Sequence, residues 1–248
     1  MTINDDGIKL DAILEMPKGL SGKCPVVIII HGFSGNKEEP HLVALSKALN
    51  NLGLATLRCD MYGHGLSGGR FCDHNLFKWM NNALTLIDYA RSLDFVTDIY
   101  LCGHSQGGLT AMLAAAMKRE VIKAVILLAP AIVIPADTRR GIMLGASFDP
   151  DNIPDSVYPE DERLDGNYLR VAQTIHVEDA IDRYIGPVLI IHGAEDACIP
   201  KQCSVDASER YRNADLVLIK GEDHCFNFHT DEMVEAVTSW MRGGRVNG

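Results

Sequence analysis

The chain has no run of about 20 apolar residues, the length a membrane-spanning helix requires. The uncharged stretch Ala124–Ala136 is too short and is broken by Pro130 and Pro135. Positive charge is scarce, with 23 Lys+Arg against 33 Asp+Glu and a net charge of −10. An acidic chain is a poor electrostatic match for phosphate backbones or anionic lipid, so neither nucleic acid nor a membrane is an expected partner. No CxxC pair occurs among Cys24, Cys59, Cys72, Cys102, Cys198, Cys203 and Cys225. An odd, scattered set argues against a disulfide framework or a structural zinc site, and most are expected to be small core residues in a reducing compartment. The opening Met1-Thr2-Ile3-Asn4-Asp5-Asp6-Gly7 has no apolar core, so no secretory signal is expected and the location is read as cytoplasmic. Internal repeats and low-complexity linkers are also lacking.

What is present suits one large α/β domain over residues 1–248, with 47% hydrophobic residues. The segment Gly7–Met16 partly alternates, as a half-buried antiparallel strand does. Pro25–His31 is a continuous β-branched run, the pattern of a strand covered on both faces. Similar runs recur at Leu54–Cys59, Ile99–Cys102, Ala124–Leu128, Val188–His192 and Leu216–Ile219. Helical patterns lie between them near Pro40–Leu52, Leu76–Leu93, Gln106–Met117, Lys201–Tyr211 and Asp231–Met241. Alternating strands and helices predict a mainly parallel twisted sheet with helices on both faces, and ligands bound beyond the strands' carboxyl ends.

One segment, residues 131–180, breaks this rhythm and reads as a cap or lid inserted into the domain. Its stretch Asp149–Asp165 holds seven acids (Asp149, Asp151, Asp155, Glu160, Asp161, Glu162, Asp165) against Arg163 alone. These either discourage anionic substrates or keep an exposed loop hydrated.

Gly103-His104-Ser105-Gln106-Gly107 follows a predicted strand and opens a predicted helix, the context a nucleophilic serine on a sharp turn requires. Such a serine needs a base, and the base an orienting carboxylate. His224 follows the last predicted strand and is the candidate base; His176 and His229 lie in less suitable places. His192 ends a strand and reads as a buried histidine bonded to backbone. Asp196, just past that strand, is preferred as the acid, with its neighbour Glu195 the alternative. Asp223 adjoins His224 too closely to face its Nδ1. The backbone N–H groups of Phe33, in His31-Gly32-Phe33-Ser34-Gly35, and of Gln106 are the candidate oxyanion donors, with His31 ordering that loop. The chemistry predicted is acyl transfer to serine and then to water. No metal, phosphate loop or cofactor is expected.

With these pieces placed, the chain resembles the α/β-hydrolase superfamily and, more narrowly, the bacterial cinnamoyl (feruloyl) esterases. The resemblance rests on the two motifs above, on Asp60-Met61-Tyr62-Gly63-His64-Gly65-Leu66-Ser67 and on Asp223-His224-Cys225-Phe226. Phe148–Asp155 and Gly166–Gln173 in the cap are similar to stretches of those esterases. The resemblance implies an α/β-hydrolase fold, a serine carboxylesterase acting on hydroxycinnamate esters, a small-molecule aryl ester substrate and a possible homodimer. It also implies that Tyr168 and Asp137 meet the substrate's phenolic hydroxyls. Tyr168 as a packing residue and Asp137 as a surface acid remain alternatives. Leu144 stands where some relatives carry a cap glutamine. A general short-chain carboxylesterase or a monoacylglycerol lipase is the rival enzyme reading, and a ligand receptor on the same fold is the rival outside enzymes.

Overall fold

A computed structural model describes residues 1–159 and 163–243. In chain order the elements are β1 (Thr2–Asp5), β2 (Ile8–Glu15), β3 (Cys24–Ile30), α1 (Pro40–Asn51), β4 (Ala55–Cys59) and α2 (Leu76–Arg91). They continue with β5 (Val96–His104), α3 (Gln106–Met117), β6 (Ile122–Leu128) and α4 (Ile134–Arg139). The short strands β7 (Ile142–Met143) and β8 (Ala146–Ser147) pair together, as do β9 (Ser156–Val157) and β10 (Leu164–Asp165). Helices α5 (Gly166–Gln173) and α6 (Val177–Arg183) lead to β11 (Val188–Gly193), α7 (Lys201–Arg210), β12 (Ala214–Ile219) and α8 (Thr230–Arg242).

Eight strands form one sheet in the order β1-β2-β4-β3-β5-β6-β11-β12. From β4 to β12 its neighbours are parallel, and β1 and β2 add an antiparallel edge. Alternation along β3 splits the core in two. Val27 and Ile29 pack with Leu42, Leu45 and Leu49 of α1 and Met233 and Val237 of α8. Val26, Ile28 and Ile30 pack on the opposite face with Trp79 and Leu86 of α2 and Leu109 of α3. The chain leaves β3 toward β4 on one side and returns to β5 on the other. That reversal sets the loops after β3 and β5 side by side at a topological switch point, the kind of place where open α/β sheets bind ligands.

The predicted strands and helices are all present, with three differences. β1 lies outside the expected set; its inward Asp5 is buried and accepts hydrogen bonds from Asn81 (2.8 Å), Asn82 (2.5 Å) and Thr85 (2.6 Å) of α2. A buried carboxylate breaks the apolar alternation by which a strand is recognised. β5 starts at Val96, three residues before the apolar run. The segment between β6 and β11 is structured by α4, α5 and α6 and by the two short ladders.

Asp149, Asp151 and Asp155 in that segment are exposed, while Glu160, Asp161 and Glu162 lie outside the described residues. All seven cysteines are free thiols. Contrary to expectation, only Cys24, Cys59 and Cys102 are buried, because Cys198 and Cys225 sit on exposed loops. No helix among the described residues is long and apolar enough to cross a membrane.

His31 and His74 are fully buried. Burial foremost, with the neighbouring His64 adding to it, pushes each down to about 3. The unfolded chain binds protons at these rings below the ordinary imidazole value while the folded chain does not, so stability falls as pH drops through that window. The imidazole NMR signals of His31 and His74 are expected to stay at their neutral positions between about pH 8 and pH 5. The urea midpoint should fall from about pH 7 to pH 5. A folded-state titration near 6.5 for either ring would contradict their burial as neutral groups.

Candidate active site

β5 ends at His104 and α3 begins at Gln106, so Ser105 alone turns the chain. Its φ of 54° and ψ of −120° are a conformation that side chains disfavour. The turn is tight: a Cβ on Gly103 would sit 2.1 Å from the Gly107 carbonyl oxygen, and one on Gly107 2.3 Å from those of Ile30 and His31. Neither glycine can be replaced without moving backbone.

His224, on the loop after β12, and Asp196, on the loop after β11, meet Ser105 there. Ser105 Oγ donates to His224 Nε2 at 2.9 Å, and His224 Nδ1 donates to Asp196 Oδ2 at 2.6 Å. Asp196 Oδ1 accepts the N–H groups of Cys198 (2.8 Å) and Ile199 (2.9 Å). Burial alone would raise the Asp196 carboxyl, but hydrogen bonds from His192, His224 and Ile199 outweigh it and hold the group well below the carboxylate range. Glu195 is exposed. The arrangement can pass the serine proton to the imidazole while a permanently ionised acid faces the charge that forms.

Two supporting contacts went unread in the sequence, those of His192 to Asp196 and of Glu222 to the His224 loop. His192 is buried and touches the Ile199 carbonyl at 3.1 Å, as a backbone-bonded histidine should, yet its Nε2 also lies 3.0 Å from Asp196 Oδ2. Ser204 Oγ, 2.7 Å from Nδ1, donates to it and leaves the ring proton on Nε2. The spacing of four residues between His192 and Asp196 across a strand end was the available signal. Glu222, also buried, accepts the N–H groups of Asp223 (2.8 Å), Phe228 (3.2 Å) and His229 (2.6 Å) and so frames the His224 loop. Asp223 is occupied with the N–H groups of Cys225 and Asn227.

The loop after β3 is pressed against Ser105, since a Cβ on Gly32 would lie 3.2 Å from Ser105 Cβ. His31 orders this loop: Nδ1 donates to the Gly32 carbonyl (2.7 Å) and Nε2 accepts the Met61 N–H (3.0 Å). Lys37, buried, ties the far end of the loop to Asp60 and Asp11, both at 2.7 Å. The Phe33 ring meets His74 (5.0 Å between centroids) and Tyr168 (5.9 Å) edge-on.

Tyr168 is fully buried and its hydroxyl donates to Gln106 Oε1 at 2.7 Å. The cap thus grips the first residue of α3, the one whose N–H is an expected oxyanion donor. Asp137, in contrast, forms an ion pair with Arg140 one turn along its own chain. Both groups expected to meet a substrate are already partnered, because a buried hydroxyl requires an acceptor and an arginine stands three residues from the acid. Leu144 is exposed in the turn between β7 and β8. A surface cavity of about 600 Å³, bordered by Ile132, Arg139, Val177 and Arg210, has none of these site residues in its wall.

Further titratable groups border the site. Burial pushes Glu39 up to about 7 and His41 down to about 4, and it holds His104 well below the imidazole range.

The family model described as serine aminopeptidase, S33, matches residues 22–166, a span that carries Phe33 and Ser105 but ends before Asp196 and His224. The structure of ferulic acid bound to Est1E from Butyrivibrio proteoclasticus is 56% identical and covers 98% of this chain and 98% of that chain, with a TM-score of 0.96. The mitochondrial palmitoyl-protein thioesterase ABHD10 of Mus musculus is 26% identical over 218 residues, 84% of this chain and 71% of its own length. The structure of mouse alpha/beta hydrolase domain-containing protein 10 covers 98% of each chain at 21% identity with a TM-score of 0.80, a likeness of fold alone.

A hydrogen bond to a charged group is worth about 1.5–3 kcal/mol. The change His192→Phe should therefore lower kcat roughly 10- to 150-fold with little change in KM, because it removes a donor from Asp196 without touching Ser105. Steady-state kinetics read this directly, and an unchanged kcat would show that His192 only fills the core.

Proposed function

The chain belongs to the hydrolase family that the serine aminopeptidase S33 model describes, and within it we propose that the chain is a serine carboxylesterase hydrolysing hydroxycinnamate esters, feruloyl esters first among them. The observation that carries this reading is the likeness over nearly the whole length, cap included, to a protein whose structure holds ferulic acid.

The reaction begins when Ser105 Oγ attacks the ester carbonyl carbon while its proton passes to His224 Nε2. The negative oxygen of the tetrahedral adduct is held by the N–H groups of Phe33 and Gln106, and the imidazolium by ionised Asp196. The adduct collapses as His224 gives the proton to the departing alcohol oxygen. Water, deprotonated by His224, then attacks the acyl-enzyme and frees the hydroxycinnamic acid, returning the proton to Ser105. The planar aryl-vinyl group lies on the Phe33 side of the site under the cap. Tyr168 and Asp137 meet its phenolic oxygens once their bonds to Gln106 and Arg140 are exchanged for them. Free thiols throughout the chain suit a reducing compartment, the cytoplasm.

The 26% identical thioesterase favours a second reading, an esterase for aliphatic acyl groups using the same triad. The two separate on kcat/KM for methyl ferulate against a butyrate ester: a clear aliphatic preference overturns the hydroxycinnamate assignment. Ser105→Ala is expected to lose about 10⁴–10⁶ in rate on either substrate. Tyr168→Phe is expected to weaken turnover of ferulate esters more than that of unsubstituted cinnamate esters, and equal losses would restrict Tyr168 to holding Gln106.

A further inference from the structure

Three atoms of the kind that ligate metals converge beside the nucleophile with no hydrogen-bond partner. Glu39 immediately precedes α1, His41 lies in its first turn, and His104 ends β5 directly before Ser105. Glu39 Oε2, His41 Nε2 and His104 Nδ1 are each buried and each unpaired. Ligand atoms of the three residues lie within 4.8 Å of one another. His41 is 4% exposed and His104 2%, so bulk water does not reach either ring freely. Three unpaired polar atoms in one place differ from three scattered ones, because a single bound species can satisfy them all.

The proton positions narrow what that species is. His104 Nε2 lies 2.9 Å from the His224 carbonyl oxygen, which can only accept, so Nε2 carries the hydrogen and Nδ1 presents a lone pair. An imidazole that donates one N–H to a backbone carbonyl and offers its other nitrogen inward has the outer-shell arrangement of metal-ligating histidines. The space itself depends on two glycines of the loop after β3. A Cβ on Gly35 would lie 2.6 Å from Glu39 Oε2, and one on Gly32 would lie 3.2 Å from His104 Nδ1.

We propose that Glu39, His41 and His104 form a binding site for one divalent transition-metal ion of the zinc type, with a water molecule as fourth ligand. Two imidazole nitrogens and one carboxylate are a ligand set zinc takes, whereas magnesium and calcium favour all-oxygen sites. Bonds of about 2.0–2.2 Å in a tetrahedron bring ligand atoms roughly 3.4 Å apart, so the set tightens on binding, chiefly by rotation of the Glu39 carboxylate. The ion serves no step of the ester hydrolysis described above. It joins the start of α1 to the residue before the nucleophile.

The test uses the full chain, stripped with a chelator, dialysed and titrated with zinc chloride by calorimetry and with cobalt(II) chloride by visible absorption. One equivalent of zinc is expected with a dissociation constant below about 1 µM, and cobalt is expected to give the intense visible bands of a four-coordinate site. Combining Glu39→Gln with His41→Asn should weaken that equivalent roughly 100-fold or more. The double variant Cys198→Ser with Cys225→Ser should keep it, since exposed thiols are the main competing ligands. Circular dichroism verifies folding, and the isosteric Glu39→Gln alone serves if the double variant is unstable. Absence of a tight equivalent in the wild-type chain overturns the proposal. So does an equivalent that survives unchanged in a folded variant lacking Glu39, or one that disappears with the cysteines.

Discussion

Everything in the site is referred to the backbone at Ser105. Holding a serine at φ 54° costs about 1–3 kcal/mol, and the conformation persists because its surroundings leave no alternative. β5 is pinned between β3 and β6 in the middle of the sheet, and α3 is apolar nearly all round and buried. Strand and helix are thus each fixed independently, and one residue must connect them. The Gly103 and Gly107 contacts are the other side of that constraint: the chain passes so closely that Cβ atoms have no room. The serine hydroxyl is lifted out of the sheet, and the start of a helix lies beneath it.

The partners of Ser105 come from two further strand ends, and each is held in place by further contacts around it. Asp196 is tethered by two backbone N–H groups and by His192. The His224 loop is framed by Glu222, and the His224 carbonyl receives a hydrogen bond from His104, the residue next to Ser105. On the other flank, the buried ion pair of Lys37 with Asp60, joined by the half-buried Asp11, fastens the loop that carries Phe33. Removing one partner of such a buried pair would leave an uncompensated charge, so these contacts serve position more than net stability.

The parallel strands and the GxSxG turn were legible in the sequence because their causes are local: β-branched runs, and glycines one residue either side of His104–Gln106. Asp196 could be favoured over Glu195 by position alone, but only the packed structure shows which of two adjacent acids faces inward. β1 escaped because four residues carrying a buried aspartate make no pattern. Tyr168 and Asp137 were reached by resemblance, and the partners they have in the structure were not equally legible. Tyr168 is partnered with Gln106, 62 residues away in sequence, and no periodicity encodes a contact at that range. The salt bridge from Asp137 to Arg140 was readable at its spacing, yet it competes with the role that resemblance assigns to the acid. His192 was legible as buried but not as a donor to Asp196, since that depends on how the loop after β11 folds back.

The order of the site along the chain has a bearing on its biosynthesis. Ser105 and His224 are 119 residues apart, and ribosomes add about 5–20 residues per second. The elbow and its two glycines therefore leave the ribosome roughly 6–24 s before the His224 imidazole that meets the serine. During that interval the serine has neither His224 nor Asp196 beside it. The Ser105–His224–Asp196 contacts can form only when β11, β12 and the His224 loop have joined the edge of the sheet, so a chain interrupted before them lacks the proposed site.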